Sequence, residues 1–189
     1  MTLARSLSPL RARKCESCRA SFLQSRMGQQ VCGPKCAYEL VQANKAKVER
    51  KADRVKRDAM KSKGDLIAEA QVAFNAYIRL RDHLAGHNCI SSGLPLDWSG
   101  NSVDAGHYRS RGSASHLRFN EDNVHAQSKQ ENRYKSGNAV DYRIGLIARI
   151  GIERIEALEA DQEPRRYTPD ELIAIKKLYQ LKLKQLKGN

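Results

Sequence analysis

The sequence predicts an α+β fold, in which a small β-hairpin with a short trailing helix is embedded in longer helices and preceded by a cysteine module. Three observations carry this. Strand signals at Val103, Ala105 and His107 to Arg109 are followed by a Ser/Gly loop, a second strand signal from Asn123 to Gln127, and a Gly- and Pro-free stretch, Lys129 to Ser136, suited to a short helix. On both sides of that unit, apolar residues recur at three- and four-residue spacing, the helical period. Four of the five cysteines stand in two close pairs near the N-terminus.

Composition narrows the function classes. Hydrophobic residues make up 40% and aromatics 6% of the 189 residues, so the core is modest: one domain with appendages, or two small ones. Lys plus Arg outnumber Asp plus Glu by 34 to 21, a net charge of +13. Such a charge releases counterions from a polyanion and points to nucleic acid, with a ribosome-associated or merely solubilising role as the alternative. No apolar run reaches the ~18 residues a membrane span needs, and MTLARSLSPLRARK has no uninterrupted apolar core of a secretory signal. Cysteines in close pairs fit metal ligation in a reducing compartment better than a disulfide framework.

Taken in order, residues 1–36 form the cysteine module. Cys15, Cys18, Cys32 and Cys36 read C-x2-C-x13-C-x3-C, a spacing that lets each pair bite one ion and completes a tetrahedral, four-thiolate Zn2+ site. Such a zinc has no open position and is structural; free thiols in a basic tail are the alternative. Residues 37–64 are read as an exposed helical arm whose stripe of Ala52, Val55 and Ala59 is too thin for a core helix. Its Lys47, Arg50, Lys51, Arg54 and Arg57 are candidate phosphate contacts, against the plainer reading of a solvated face.

Residues 65–160 hold the hairpin. A helix is expected to start near Asp65 after Gly64, with Ile67, Ala70, Phe74, Tyr77 and Ile78 on its buried face, and to end at Gly86. Trp98 is expected to pack in a hairpin that ends near Val103 rather than to serve as a base-stacking platform. Tyr142 to Leu158 is read as two helical pieces meeting near Gly151. In residues 161–189 a polar break precedes Thr168 to Glu171 (TPDE), a capping box with Pro at the first helical position. The final helix carries Leu172, Ile175, Tyr179, Leu183 and Leu186 on one face, for intramolecular packing or, alternatively, a homodimer seam.

The chemistry-bearing groups concentrate between Val103 and Asn138. His107, Asn123 and Asn132 stand in H-N-N order, with Lys135 one turn beyond Asn132. An imidazole accepts a proton near neutral pH, and a carboxamide oxygen binds a hard cation, so water held between His107 and Mg2+ (or Mn2+) on Asn132 could attack phosphorus. Asp104 is a further candidate metal ligand, although strand alternation sets it on the face opposite His107. His125, on the face of Asn123, is a competing ligand. Arg109, Arg111, Arg118, Arg133 and Lys135 surround the loop and short helix as candidate DNA-backbone contacts.

This H-N-N order resembles the ββα-metal, or HNH, endonuclease motif. More narrowly, AGHYR, LRFN, NVH and KSGN, together with the cysteine-rich N-terminus, basic helix and helical tail, resemble the NinG (Rap) recombination nucleases of lambdoid phages. The resemblance covers most of the chain and implies a ββα-metal unit within residues 65–160. It also implies a metal-dependent DNA endonuclease selective for branched intermediates such as Holliday junctions and D-loops, in the cytoplasm of a bacterial host, with no small-molecule cofactor beyond metals. Under it His107 is the general base, Asn123 orients that ring or braces the loop, Asn132 holds the catalytic cation and the short helix enters a groove. Two features depart from the family pattern. Gly106 stands where many HNH enzymes carry a second metal ligand, and the positions of a second zinc site are Cys89, Ser92, Ser128 and Glu131, a set expected to bind no zinc. Those departures motivate the alternative, a catalytically weakened DNA-binding or adaptor protein.

Overall fold

The structure, a computed structural model, describes residues 12–188. These residues fall into two compact units that divide between residues 60 and 61.

In the first unit, strand β1 (Ala12–Lys14) pairs antiparallel with β2 (Ser21–Leu23), Arg13 facing Phe22. This hairpin had no alternating apolar pattern to announce it, because the turn between its strands carries the first cysteine pair. Helix α1 (Pro34–Ala59) begins three residues before the expected Ala37. Pro34 lies in its first turn, where a missing N–H costs nothing, so Cys36 belongs to the helix rather than to a module preceding it. Cys36 is the buried residue of α1, and Val41, Val48 and Val55 are all more than half exposed, as a thin apolar stripe implies.

In the second unit, α2 (Lys63–Leu84) starts earlier than Asp65 because Ser62 caps it. The Ser62 hydroxyl accepts from Asp65 N, and the Asp65 carboxylate accepts from Ser62 N, so Gly64 sits inside the first turn instead of breaking the helix. Its buried face is Leu66, Ala70, Ala73, Phe74 and Ile78, with Ile67 and Tyr77 at the margin. Strand β3 (Val103–His107) pairs antiparallel with β4 (Val124–Ser128) in a register that sets Gly106 opposite His125 and Asp104 opposite Gln127. The short helix Gln130–Tyr134 follows, then α3 (Ala139–Ile150) and α4 (Ile152–Ala160), which break at Gly151 with φ +84°. Helix α5 (Pro169–Gly188) opens on the expected capping box, Thr168 N donating to Glu171 Oε2 at 2.7 Å and Glu171 N to Thr168 Oγ1 at 3.3 Å.

Two apolar clusters hold the hairpin. One joins α2 and α5 to Ala105 and Val124, with Phe74 edge-on to Tyr179 (4.7 Å) and Phe119 (5.7 Å). The α5 stripe is therefore used inside the chain: Leu172 and Tyr179 are buried in the core shared with α2. The other joins Ile90, Ala114 and Leu117 to Tyr142, Leu146, Ile155 and Leu158 of α3 and α4. From it the Tyr142 hydroxyl donates to Gly106 O (2.9 Å) and accepts from His125 N (3.0 Å), stitching the second cluster to both strands. Strand β4 begins one residue later than expected, at Val124 rather than Asn123. Trp98 lies in no hairpin; residues 98–101 form a turn ahead of β3. Among the described residues no helix is long and apolar enough to cross a membrane.

Phe74 is fully buried at the centre of the larger cluster. Phe74→Ala is expected to cost about 3–5 kcal/mol, read from the urea unfolding midpoint followed by the fluorescence of Trp98, the single tryptophan.

Candidate phosphodiester and metal sites

The hairpin and its trailing helix enclose a cavity of about 450 Å3 lined by Asp104, His107, Arg111, Asn132, Arg133 and, from α2, Arg79. Three of the predicted catalytic-site residues thus meet in one opening. Asp104 reaches it although strand alternation separates it from His107. His107 arrives as the last residue of β3, whereas the Asp104 carboxylate is clasped from the short helix, by Asn132 Nδ2 at 3.0 Å and Arg133 Nε at 2.8 Å.

His107 Nε2 lies 3.1 Å from the Arg118 carbonyl. A carbonyl only accepts, so Nε2 carries the proton and the basic lone pair is on Nδ1. Burial, reinforced by the charges of Arg111 and Arg118 and opposed by the carbonyls of Arg118 and Ala105, lowers the ring's pKa to about 4. The imidazole is neutral at pH 7. Asn123 is completely buried and touches neither the ring nor the cavity: its Oδ1 accepts from Arg109 N (2.8 Å), and its Nδ2 donates to Arg109 O (3.0 Å) and Leu117 O (3.2 Å). Of the two roles expected of it, the geometry favours bracing. Asn123 closes the loop whose Arg118 carbonyl sets the His107 tautomer, which makes it a positioning residue.

The short helix is cut to Gln130–Tyr134 because Ser136, Gly137 and Asn138 have φ of +51°, +85° and +47°, three consecutive left-handed residues. They are pinned by Gln127 Nε2 donating to Gly137 O (2.7 Å) and Asn138 Nδ2 donating to Glu131 Oε2 (2.7 Å). Gly106 also has a steric cause: a Cβ there would lie 2.0 Å from Gln127 Oε1, so a side chain before His107 would require Gln127 to move. Asn132 presents Nδ2 rather than Oδ1 to Asp104, so a hard cation held by both residues would require the amide to turn over so that its oxygen faces the carboxylate. Such a cation would compete with Arg133 for the carboxylate.

Several expectations are corrected. His125 is no competing ligand: it is buried away from the cavity, Nε2 against Asp122 O at 3.2 Å and Nδ1 against Arg81 at 3.1 Å, with burial and the Arg81 charge lowering its pKa to about 3. Arg109 is not available to DNA, because its guanidinium caps the end of α4 on Leu158 O (3.3 Å) and Glu159 O (3.0 Å). Arg118 turns to Gln71 of α2 (3.3 Å), and Lys135 pairs with Glu131 (2.8 Å). Arg111 is exposed on the cavity rim, and Arg133 lines it. Arg79, which the sequence reading passed over, was signalled by Asn75 and Arg79, polar residues one turn apart beside Phe74 and Ile78 on an otherwise apolar stretch. At the remaining corner, Cys89 Sγ accepts from Ser128 N (3.4 Å), Ser128 Oγ accepts from Glu131 N (3.3 Å) and the Glu131 carboxylate is taken by Lys135 and Asn138; Ser92 Oγ accepts from Leu94 N (3.4 Å).

In the first unit Cys15, Cys18, Cys32 and Cys36 bring their sulfurs within 4.8 Å of one another, Cys18 to Cys32 at 3.7 Å and Cys32 to Cys36 at 3.5 Å. Tetrahedral Zn–S bonds of about 2.3 Å give sulfur separations of about 3.8 Å, so this cluster can hold a metal such as zinc. Burial works against the Cys15 thiolate, but the backbone amides of Cys18, Cys32 and Ser17 outweigh it and lower its pKa to about 6. Its neighbours, Cys36 foremost, push Cys32 up to about 12, because four thiolates this close need a cation between them. On α1, Lys47, Arg50, Lys51, Arg54 and Arg57 line one shallow basic groove.

The family model described as Bacteriophage Lambda NinG protein matches residues 7–189. The chain belongs to the NinG family. It is 36% identical over 199 residues to Protein ninG of Salmonella phage P22, covering 94% of this chain and 95% of that one. It is 36% identical over 202 residues to Protein ninG of Escherichia phage lambda, covering 96% of each. No solved structure matches. In this NinG-family chain the cysteine cluster and the His107 cavity are distinct sites on different units.

Two outcomes are expected. Cys18→Ser should lower bound zinc from about one equivalent per chain to a small fraction by elemental analysis after dialysis against a chelator, because a serine hydroxyl or water in the fourth position binds more weakly than a thiolate. The folded pKa of His125 lies below its unfolded value, so unfolding takes up a proton between about pH 6.5 and about pH 3. Stability contributed by the neutral ring is complete above about pH 6.5 and declines by up to ~1.4 kcal/mol per unit below it. Urea midpoints read by Trp98 fluorescence should fall less steeply with acid in His125→Gln than in the parent chain.

Proposed function

We propose that the chain is a metal-dependent, HNH-type endodeoxyribonuclease that hydrolyses branched recombination intermediates, Holliday junctions and D-loops among them, in the host cytoplasm. The observation that carries this is His107, its Nε2 proton committed to the Arg118 carbonyl, in one cavity with Asp104 and Asn132. Preference for branched DNA rests on the resemblance to NinG recombination nucleases.

Nδ1 of His107 takes a proton from water, the water oxygen bonds to phosphorus, and the P–O3′ bond breaks to leave a 5′-phosphate and a 3′-hydroxyl whose proton comes from solvent. A pKa near 4 makes the free ring a weak base. An arriving phosphodiester offsets the Arg111 and Arg118 charges and raises that basicity where it is needed. Asp104 and Asn132 would hold Mg2+ (or Mn2+), which supplies charge neutralisation at the phosphate and the leaving oxygen. Arg111 and Arg133 hold the backbone without reading sequence, and the basic groove of α1 offers a further phosphate-binding surface.

One observation favours a second reading, a catalytically weakened DNA-binding or adaptor protein. The Asp104 carboxylate is already engaged by Arg133, and Gly106 cannot supply another ligand.

The two separate on linear, flapped and four-way DNA incubated side by side with Mg2+. The nuclease reading expects cleavage of the branched forms, a loss of about 10²–10⁴-fold in His107→Ala, and unchanged DNA affinity in that variant. Binding without scission in the parent chain would support the adaptor.

A further inference from the structure

A second cavity, of about 320 Å3, adjoins the first through a shared residue, Arg79, which lines both. Its wall is an aromatic pair: the Trp98 indole lies nearly parallel to the His83 imidazole, centroids 4.6 Å apart and planes inclined by 15°. The pair is presented rather than buried. His83 is exposed at the end of α2 and Trp98 only half-buried, whereas Phe74, Tyr142 and Tyr179 are enclosed in the cores. The turn that carries Trp98 is closed at both ends, by Asp97 Oδ1 accepting from Ser99 N (2.9 Å) and by the Ser102 hydroxyl donating to Asp97 O (2.6 Å). Leu80, Val103 and Leu183 add apolar surface, and Lys187 a second positive charge. Arg79 forms no ion pair among the described residues, so a cation stands uncommitted where the two cavities meet.

We propose that this cavity receives an unpaired nucleotide of the DNA substrate, its base stacked on the Trp98–His83 pair and its phosphate on Arg79. The chemistry matches on three counts. A flat aromatic surface accepts any base through its π-face, and a paired base in a duplex cannot reach it. Cations flank the surface as the backbone requires. Arg79 joins it to the His107 cavity, so a base seated here sets a neighbouring phosphodiester beside the hydrolytic groups. The cavity is also of the size that small-ligand sites occupy. Selection of branched DNA then has a local physical basis: a junction or D-loop offers unstacked nucleotides, and a linear duplex does not. This rests on the nuclease reading for its substrate, but base stacking is measurable without any cleavage.

The test uses the zinc-loaded full chain without Mg2+, so that nothing is cut. Two DNA probes of equal length are compared, a perfect duplex and a four-way junction carrying unpaired thymidines at the branch. Trp98, the single tryptophan, should be quenched by the junction and not by the duplex. Trp98→Ala should weaken junction binding, read by anisotropy of labelled DNA, by about tenfold while duplex binding stays within about twofold. Trp98→Tyr should restore most of the loss, and circular dichroism checks that both variants fold. Equal quenching by both probes, or an equal loss on both in Trp98→Ala, would overturn the stacking site. If neither DNA binds, this inference and the nuclease reading fall together. If quenching discriminates but Mg2+ brings no scission, stacking stands and hydrolysis falls.

Discussion

The tautomer of one imidazole depends on a carbonyl, and that carbonyl depends on a buried carboxamide. Asn123 uses both ends of its amide to tie Arg109 and Leu117 into a fixed loop, and the next residue after Leu117 presents its oxygen to His107 Nε2. A buried amide satisfied at all these points is costly to disturb, since any vacated partner would be left in the core without water. The loop between the strands therefore behaves as part of the scaffold, and the lone pair on Nδ1 is a consequence of it.

A similar chain of dependence explains the strands. Gly106 leaves room for Gln127, which carries the hydrogen bond to Gly137 and so anchors the left-handed run that ends the short helix. That run places Asn132 and Arg133 against Asp104. A side chain at position 106 would displace Gln127 and disturb its hydrogen bond to Gly137. Among the described residues Asp104 is the one carboxylate that lines the cavity, reached across the strand by the short helix. Burial works to raise its pKa, but Arg133, with Asn132 assisting, outweighs burial and holds the carboxyl below its ordinary range.

Charge on the surface divides into groups with different tasks. Arg109 ends a helix, Arg118 serves α2, and Lys135 serves Glu131, whereas Arg79, Arg111 and Arg133 face the cavity. Net charge is an argument about polyanions in general; which cations can meet a phosphate is an argument about what else each one touches. Likewise a closed set of four thiols on one unit can hold a metal such as zinc with no open position, whereas the cavity on the other unit is open and lined by polar groups.

By itself the sequence determined what is local. Cysteine spacing announced a cluster that can hold a metal, TPDE and Gly151 marked the helix start and break, and the apolar period marked the buried face of α2. Each is a relation among residues within a few turns of one another, where backbone geometry alone decides neighbours. Tertiary structure decided the rest: that Asn123 braces and does not touch the ring, that His125 is buried, that Arg109 is committed to a carbonyl 50 residues away, and that Arg79 and Trp98 belong beside the site. Those outcomes turn on competition among partners brought together only when the two cores close around the hairpin. Residue type limits what a side chain can bond; packing chooses which candidate it meets.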